Sequence, residues 1–241
     1  MFQRLPLFQT LRFQTPLFLT PLIRQALVWC ACLFTSVAWS HPHLWIDAKV
    51  ALVFNSDGQL AEIRQTWLFD EMFSSYAALG TDKQEKGVPD HSELDNIRKN
   101  WMLALADPMS HYFTSASMDG KPIQLGEATA SSIAWDRSAK RIALQFTLPV
   151  VPPIHVSKGP LVINIADPTY FVSYDLTRPE AVSMQSAPSD CTASFVRRNP
   201  LDAEAIKKLA AIPANAGALP PELLKLTQEI QNRVELVCTK G

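Results

Sequence analysis

Apolar and polar residues alternate over residues 44–54. Because successive side chains of a β-strand point to opposite faces, this pattern predicts a strand with one face in a hydrophobic core. The opposite face carries His43, Trp45, Asp47 and Lys49. The predicted core positions are Leu44, Ile46, Ala48, Val50, Leu52 and Phe54.

A turn and a second strand follow. Residues 55–58 read Asn-Ser-Asp-Gly, and the Asp-Gly pair favours a hairpin. Over residues 60–69, apolar residues alternate with charged ones such as Glu62 and Arg64. The two strands are therefore predicted to form an antiparallel ribbon with one buried face. On the second strand this face would consist of Ala61, Ile63, Trp67 and Phe69.

Helical spacing replaces the alternation after Asp70 and Glu71. Apolar residues then recur at intervals of three and four up to Gly80, which predicts a short helix with a glycine cap. A second amphipathic helix is predicted over residues 92–106. The two helices would form a helix-loop-helix insertion over residues 70–106.

The loop between these helices has the frame of an EF-hand calcium loop. Residues 82–93 begin with Asp, have Gly at the sixth place and end with Glu. However, Gln84 and Lys86 occupy the third and fifth positions, where oxygen ligands are needed. Calcium binding is therefore not expected, and Asp90 with Glu93 is interpreted as the capping box of the second helix.

Short strands dominate the chain after residue 108. They are predicted at residues 112–118, 129–135, 141–148, 161–166, 170–176 and 182–187, with a Pro-rich linker at 149–160. Helices at 202–211 and 223–231 and a closing strand at 234–238 would form the C-terminal segment. This arrangement predicts an α+β fold, mostly an antiparallel sheet or sandwich.

The first 40 residues have the character of a cleavable secretory signal peptide. They contain three arginines, no acidic residue, and an apolar run over residues 26–37 that precedes Ala38-Trp39-Ser40. Cleavage is expected after Ala38 or Ser40. The run is shorter than the about 20 residues of a membrane span, so no stable membrane insertion of the mature chain is expected. Residues 41–241 would then form one exported, periplasmic domain.

Cysteine content agrees with export. Cys30 and Cys32 lie within the leader, which leaves Cys191 and Cys238 in the mature chain. In an oxidising compartment two cysteines most simply form a disulfide. The competing interpretation is a thiolate pair that binds a metal together with histidines.

Several function classes lack their signals. Without the leader the chain has 19 basic and 23 acidic residues, a net charge of −4, and no basic patch for nucleic acid. Neither a phosphate-binding glycine loop nor a Gly-x-Ser-x-Gly motif occurs. Taken singly, His91, His111 and His155 are interpreted as exposed or structural residues.

His41-Pro42-His43 is the strongest chemical signal. Two imidazoles at i and i+2 of a strand stand about 7 Å apart and can converge on one divalent ion. The competing interpretation is a solvated chain end. Neutral imidazoles favour zinc, copper or nickel over calcium or magnesium.

Three blocks of the chain resemble a periplasmic family of unknown biochemical function, often described as an ABC-type transport system periplasmic component. The blocks are residues 41–47 (His-Pro-His-Leu-Trp-Ile-Asp), residues 67–71 (Trp-Leu-Phe-Asp-Glu) followed by Phe73 and Ser74, and residues 167–172 (Asp-Pro-Thr-Tyr-Phe-Val). The chain is similar to ZevA-type proteins of that family, which are associated with permeases of the nickel/cobalt exporter type and with zinc traffic.

The resemblance implies a periplasmic partner of an inner-membrane metal permease, without enzymatic activity. It implies a divalent transition metal, with zinc as first choice and nickel, cobalt or copper as alternatives. Two other hypotheses are a copper enzyme in which His41 forms a histidine brace, and a scaffold of a permease that binds no metal. The candidate metal ligands are His41 and His43, followed by the carboxylates Asp47, Asp70, Glu71 and Asp167.

The loop at residues 82–93 leads to a first prediction. Calcium at millimolar concentration should leave the melting temperature of the chelator-treated protein unchanged, because a ligand stabilises a fold only as RT ln(1 + [L]/Kd). Thermal unfolding with and without calcium measures this. A clear rise in melting temperature would show that backbone carbonyls and water replace the missing ligands.

Overall fold

A computed structural model describes residues 44–79, 88–156, 160–168, 171–196, 202–211, 220–230 and 232–239. Within these ranges the strands form two sheets. The first sheet contains β1 (Leu44–Phe54), β2 (Leu60–Phe69), β5 (Thr129–Asp136), β6 (Arg141–Ile154), β8 (Val172–Asp175) and β9 (Val182–Gln185). The second contains β3 (Thr114–Met118), β4 (Lys121–Ile123), β7 (Leu161–Ile165), β10 (Cys191–Val196) and β11 (Asn232–Cys238).

Strand order confirms the predicted fold class, an α+β protein with mostly antiparallel sheets. The first sheet has the order β5-β6-β2-β1-β8, and β9 pairs with β1 beyond β8. The second sheet has the order β10-β11-β7-β3-β4 and is antiparallel throughout. The structure differs from the expectation on one edge of β1, where β8 and β9 both run parallel to it.

The β1–β2 hairpin agrees closely with its sequence pattern. All six predicted core residues of β1 are buried. In the turn, the Asn55 side chain accepts hydrogen bonds from the backbone N–H groups of Asp57 and Gln59, and Gly58 has the positive φ of +73° that glycine adopts at low cost. Because these bonds join neighbouring residues, the hairpin can be predicted from the sequence.

One prediction for β2 is wrong. Ala61 is an extra residue in the pairing with β1, because Val53 pairs with Glu62 and Phe54 pairs with Leu60. Leu60 is consequently fully buried, whereas Ala61 is only half-buried. A bulge of this kind inserts one residue and changes which side chains face the core.

Helices α1 (Glu71–Ala78) and α2 (His91–Leu105) lie in the stretch predicted as helix-loop-helix, and both have an Asp as N-cap. The capping box of Asp90 and Glu93 is present at α2. Gly80 and the first half of the EF-hand frame, residues 82–87, lie outside the described residues. Two more helices, α3 (Ala203–Ala210) and α4 (Pro221–Ile230), precede β11. Within the described ranges no helix is long and apolar enough to cross a membrane.

The stretch interpreted as a Pro-rich linker contains the end of a strand. β6 continues to Ile154, with Pro149 opposite Glu62 and Ile154 opposite Leu60 of β2. The backbone of this extension also bonds the chain before β5, because Val151 N–H donates to the Gln124 carbonyl at 2.9 Å. Pairing with β2 is interrupted at residues 150–153 and resumes at Ile154. Proline is tolerated where a strand does not require its N–H, so the prolines lie in an irregular end of a strand rather than in a linker.

The predicted disulfide is present and lies within the second sheet. Cys191 and Cys238 are bonded, and they stand opposite each other on β10 and β11. β11 lies between β10 and β7, so the C-terminal strand is an interior strand of its sheet. Because disulfides persist in oxidising compartments, this bond indicates an extracytoplasmic protein.

A buried polar chain connects the two sheets. Gln65 of β2 is 1% exposed and accepts a hydrogen bond from Trp67 Nε1 at 2.7 Å. Its Nε2 donates to the Thr114 hydroxyl of β3, which donates in turn to the Tyr112 carbonyl at 2.8 Å. Each of these buried groups thus has a partner, and the partners fix how the two sheets face each other.

Gln65→Met should therefore lower the free energy of unfolding by about 2–3 kcal/mol, because the Trp67 N–H loses its acceptor and remains buried. The matched control is Gln145→Met on the exposed face of β6, where an effect within about 0.5 kcal/mol is expected. Urea unfolding of both variants provides the measurement. Equal stabilities would show that the buried chain contributes nothing net.

Candidate metal site at the start of the first strand

The first residues of β1 are held on both sides by backbone hydrogen bonds. Leu44 N–H donates to the Phe171 carbonyl at 3.3 Å, and Asp70 N–H donates to the Trp45 carbonyl at 2.9 Å. The parallel pairing of Leu44 with Val172 continues this arrangement into β8. The strand therefore has a fixed position from its first described residue.

Asp70 connects β1 to α1 through its carboxylate. Its Oδ2 accepts the Trp45 N–H at 3.0 Å, and its Oδ1 accepts the Phe73 N–H at 2.7 Å as the N-cap of α1. Both carboxylate oxygens thus accept hydrogen bonds from backbone N–H groups. Asp is favoured at such a position because its carboxylate satisfies N–H groups of the first helical turn.

Glu71, the first residue of α1, has a different environment. Its side chain is exposed and makes no hydrogen bond or ion pair with another described residue. It lies next to Asp70, and therefore close to the start of β1. Among the four candidate carboxylates, Glu71 is the one whose oxygens are open to solvent.

Asp167 organises the segment on the other side of β1. It is only 5% exposed, and its Oδ2 accepts hydrogen bonds from the N–H groups of Phe171 at 3.1 Å and Val172 at 3.0 Å. The Phe171 carbonyl is the acceptor for Leu44. A buried carboxylate therefore shapes the loop that receives the first amide of β1.

Asp47 lies farther along β1 and is an ion-pair acceptor. Its Oδ2 is 2.6 Å from Nη1 of Arg141 and 3.7 Å from Nη2 of Arg178. Arg141 also donates to the carbonyls of Leu68, at 2.8 Å, and Phe69. Two guanidinium groups thus balance the charge of Asp47.

The four candidate carboxylates have different positions. Asp70 and Asp167 bond backbone groups beside the start of β1, Glu71 follows Asp70 in the chain, and Asp47 is turned to its arginines. His41 and His43 lie outside the described residues. Among the residues that are described, no three His, Cys, Asp or Glu side chains lie close enough to hold an ion. A metal site here requires the two histidines.

An apolar cavity of about 160 Å³ adjoins the same end of β1. Its wall includes Leu44 and Val172, and aromatic side chains supply most of the remainder. Burial, helped by the negative charge of Asp167, raises the pKa of Tyr174 well above its usual value, so this phenol stays neutral. The aromatic lining residues are Trp67, Phe69, Phe73, Trp101, Phe113 and Tyr174.

The arginines that pair with Asp47 were not anticipated from the sequence. Arg141 and Arg178 are separated from Asp47 by more than ninety residues, and no local motif connects them. Likewise, the pattern identified Asp70 and Asp167 as carboxylates but not as acceptors of backbone N–H groups. The Asp before a helical spacing was the one available signal, since it marks an N-cap.

Comparison with known proteins gives two findings. A family model described as "Protein of unknown function (DUF1007)" matches residues 26–238. An uncharacterized protein of Haemophilus influenzae is 21% identical to this chain over 169 residues, which cover 66% of this chain and 74% of the relative. Neither description states a ligand, a substrate or a partner.

Asp70→Ala should destabilise the protein by about 1–3 kcal/mol, because it removes a helix cap and leaves the Trp45 N–H without its acceptor. Hydrogen exchange at the Trp45 and Phe73 amides should accelerate more than exchange in the middle of β1. Glu71→Gln, at the neighbouring exposed position, serves as the control and should change neither quantity. Unchanged protection of Trp45 would contradict the role assigned to Asp70.

Proposed function

The chain belongs to the DUF1007 family of proteins of unknown function, and we propose that it is a periplasmic metal-binding accessory protein of a zinc-, nickel- or cobalt-type transport system. Its ligand segment would be His41-Pro42-His43, which directly precedes β1. Zinc is the ion that we propose first, with nickel, cobalt and copper as alternatives. The role is that of a binding protein rather than an enzyme.

The observation that carries this proposal is the anchoring of Leu44 and Trp45. His43 is one residue from Leu44, and its Cα is therefore about 3.8 Å from an anchored backbone position. His41 can lie no farther than about 11 Å from Leu44 Cα. So short a tether would allow both imidazoles to reach the carboxylates near the start of β1, as we propose.

The carboxylates would have two different roles, positioning of the segment and binding of the ion. Asp70 and Asp167 already accept backbone N–H groups, so we assign them to positioning the segment. Glu71 is exposed and is the carboxylate that can complete a set of two imidazoles and one oxygen. Such mixed nitrogen and oxygen ligand sets suit zinc, and copper competes because of its higher intrinsic affinity.

The proposed compartment and the proposed partner rest on different observations. The disulfide of Cys191 with Cys238 supports an oxidising compartment, and the leader-like first 40 residues support export to the periplasm. An inner-membrane metal permease is proposed as partner on the resemblance to ZevA-type proteins. Delivery to, or acceptance from, such a permease would need an ion held at an exposed segment, as His41 and His43 would hold it.

Replacing both histidines with alanine should weaken zinc binding at least about 100-fold, since loss of a mere supporting residue already costs 10–100-fold. Stability should change little, because neither residue belongs to the predicted core. Isothermal titration of the metal-free mature protein measures affinity and stoichiometry. The control is the double variant His91→Ala with His155→Ala, two exposed histidines elsewhere, which should bind like wild type.

Zinc affinity should also fall as the pH drops below about 6.5, because a protonated imidazole cannot ligate. Glu71→Gln should weaken binding without abolishing it. Unchanged zinc affinity in the His41/His43 double variant would overturn the proposal.

A further inference from the structure

A large cavity lies at the opposite edge of the first sheet from β8. It has a volume of about 750 Å³ and is walled by α2 residues, including His91, Leu94 and Arg98. On the sheet side it touches all residues of β5 from 130 to 135, which point to both faces, and none of β6. The cavity therefore follows the outer edge of β5 rather than a face of the sheet.

This edge of β5 is unpaired within the described residues. β5 ends the strand order of its sheet, with β6 as its one partner strand there. Arg98 of α2 donates to the Ser131 hydroxyl at 2.7 Å, but this is a side-chain contact that leaves the backbone groups of the edge open. A strand edge presents alternate N–H and C=O groups that can pair with another extended chain.

The side chains of this edge give little protection against pairing. Natural edge strands carry proline or charged side chains that discourage pairing. β5 reads Thr-Ala-Ser-Ser-Ile-Ala-Trp before Asp136, with neither proline nor charge. A bulge with positive φ at Ala130 disturbs only its first end. The remaining five residues span about 17 Å, the length of one short strand.

A single strand is a simpler occupant of this edge than a second copy of the chain. An added strand needs only the 4.7–4.9 Å spacing of a sheet. A second copy of the chain would bring a whole sheet to the same edge, and that sheet would also have to clear α2. Grooves between a strand edge and a helix bind extended peptides in this way in other proteins.

Charge in the groove selects an acidic occupant. Asp95 is paired with Arg98 at 2.6 Å and with Lys99 at 2.8 Å, and hydrogen bonds from Lys99 and Arg98 lower the pKa of Asp95 to about 2. Two cationic side chains thus pair with the negative charge of Asp95. Arg137, at the far end of the cavity, is exposed and makes no ion pair with another described residue.

We propose that the groove between α2 and the outer edge of β5 binds an extended, acidic peptide segment of another protein, which adds to the sheet as a strand beside β5. Main-chain hydrogen bonds to β5 supply affinity. Ile133, Trp135 and Leu94 contact apolar side chains of the peptide, and Arg137 pairs with a carboxylate. This surface does not depend on the metal site proposed above.

The test uses a fluorescein-labelled heptapeptide, Asp-Thr-Val-Thr-Val-Thr-Asp, and the disulfide-bonded protein, with binding followed by fluorescence anisotropy. Two N-methylated forms carry methyl groups on alternate residues, one form at the second, fourth and sixth and the other at the third and fifth. Because one set of amides faces β5, one form should lose at least about tenfold in affinity and the other should bind like the parent. Amide exchange at residues 131–135 should slow on binding.

Arg137→Glu tests the charge selection. It should weaken binding of the aspartate peptide by about fivefold, the upper range for an exposed ion pair, and strengthen binding of the matching lysine peptide. The reversal of preference also shows that the variant is folded. No binding at millimolar peptide, equal loss in both N-methylated forms, or a dimer of the protein formed through β5 would each overturn the proposal.

Discussion

The structure depends most on the hydrogen bonding of β1 along both of its edges. β2 pairs with one edge over nearly the whole strand, and β8 and β9 share the other. At its beginning, where no long strand remains to pair with Trp45, the carboxylate of Asp70 accepts the N–H instead. Although Trp45 is half exposed, the hydrogen bond to a carboxylate fixes the start of the strand against α1. At this end of β1 a side chain therefore accepts the hydrogen bond that a neighbouring strand would otherwise accept.

A second constraint acts between the sheets. Apolar packing alone tolerates many relative positions of two sheets, whereas a buried amide must find its partners. Gln65 obtains them from Trp67 on its own strand and from Thr114 on β3. The same logic applies to Asp167, whose burial is compatible with the fold because two N–H groups receive its charge. Polar groups inside this protein determine position, and apolar ones supply most of the stability.

Sequence patterns predicted the elements that local physics determines. The β1–β2 hairpin, the capping box of α2 and the Cys191–Cys238 disulfide each follow from nearby residues or from a simple count. Contacts between distant segments could not be predicted from the sequence. Examples are the burial of Gln65, the extension of β6 through its prolines, and the pairing of Arg141 with Asp47. Of the candidate site, the sequence identified the carboxylates around β1, but their bonds to the backbone appear only when α1 and the loop before β8 are folded against the strand.

The position of β11 also has a consequence for the order in which the second sheet can form. A chain that is synthesised from its N-terminus delivers β7 and β10 before the strand that lies between them. Until residues 232–238 arrive, both neighbours have an open edge that can pair with other chains. The last strand of the described chain is thus the one that closes the second sheet, and the edges of β7 and β10 stay unpaired until the end of synthesis.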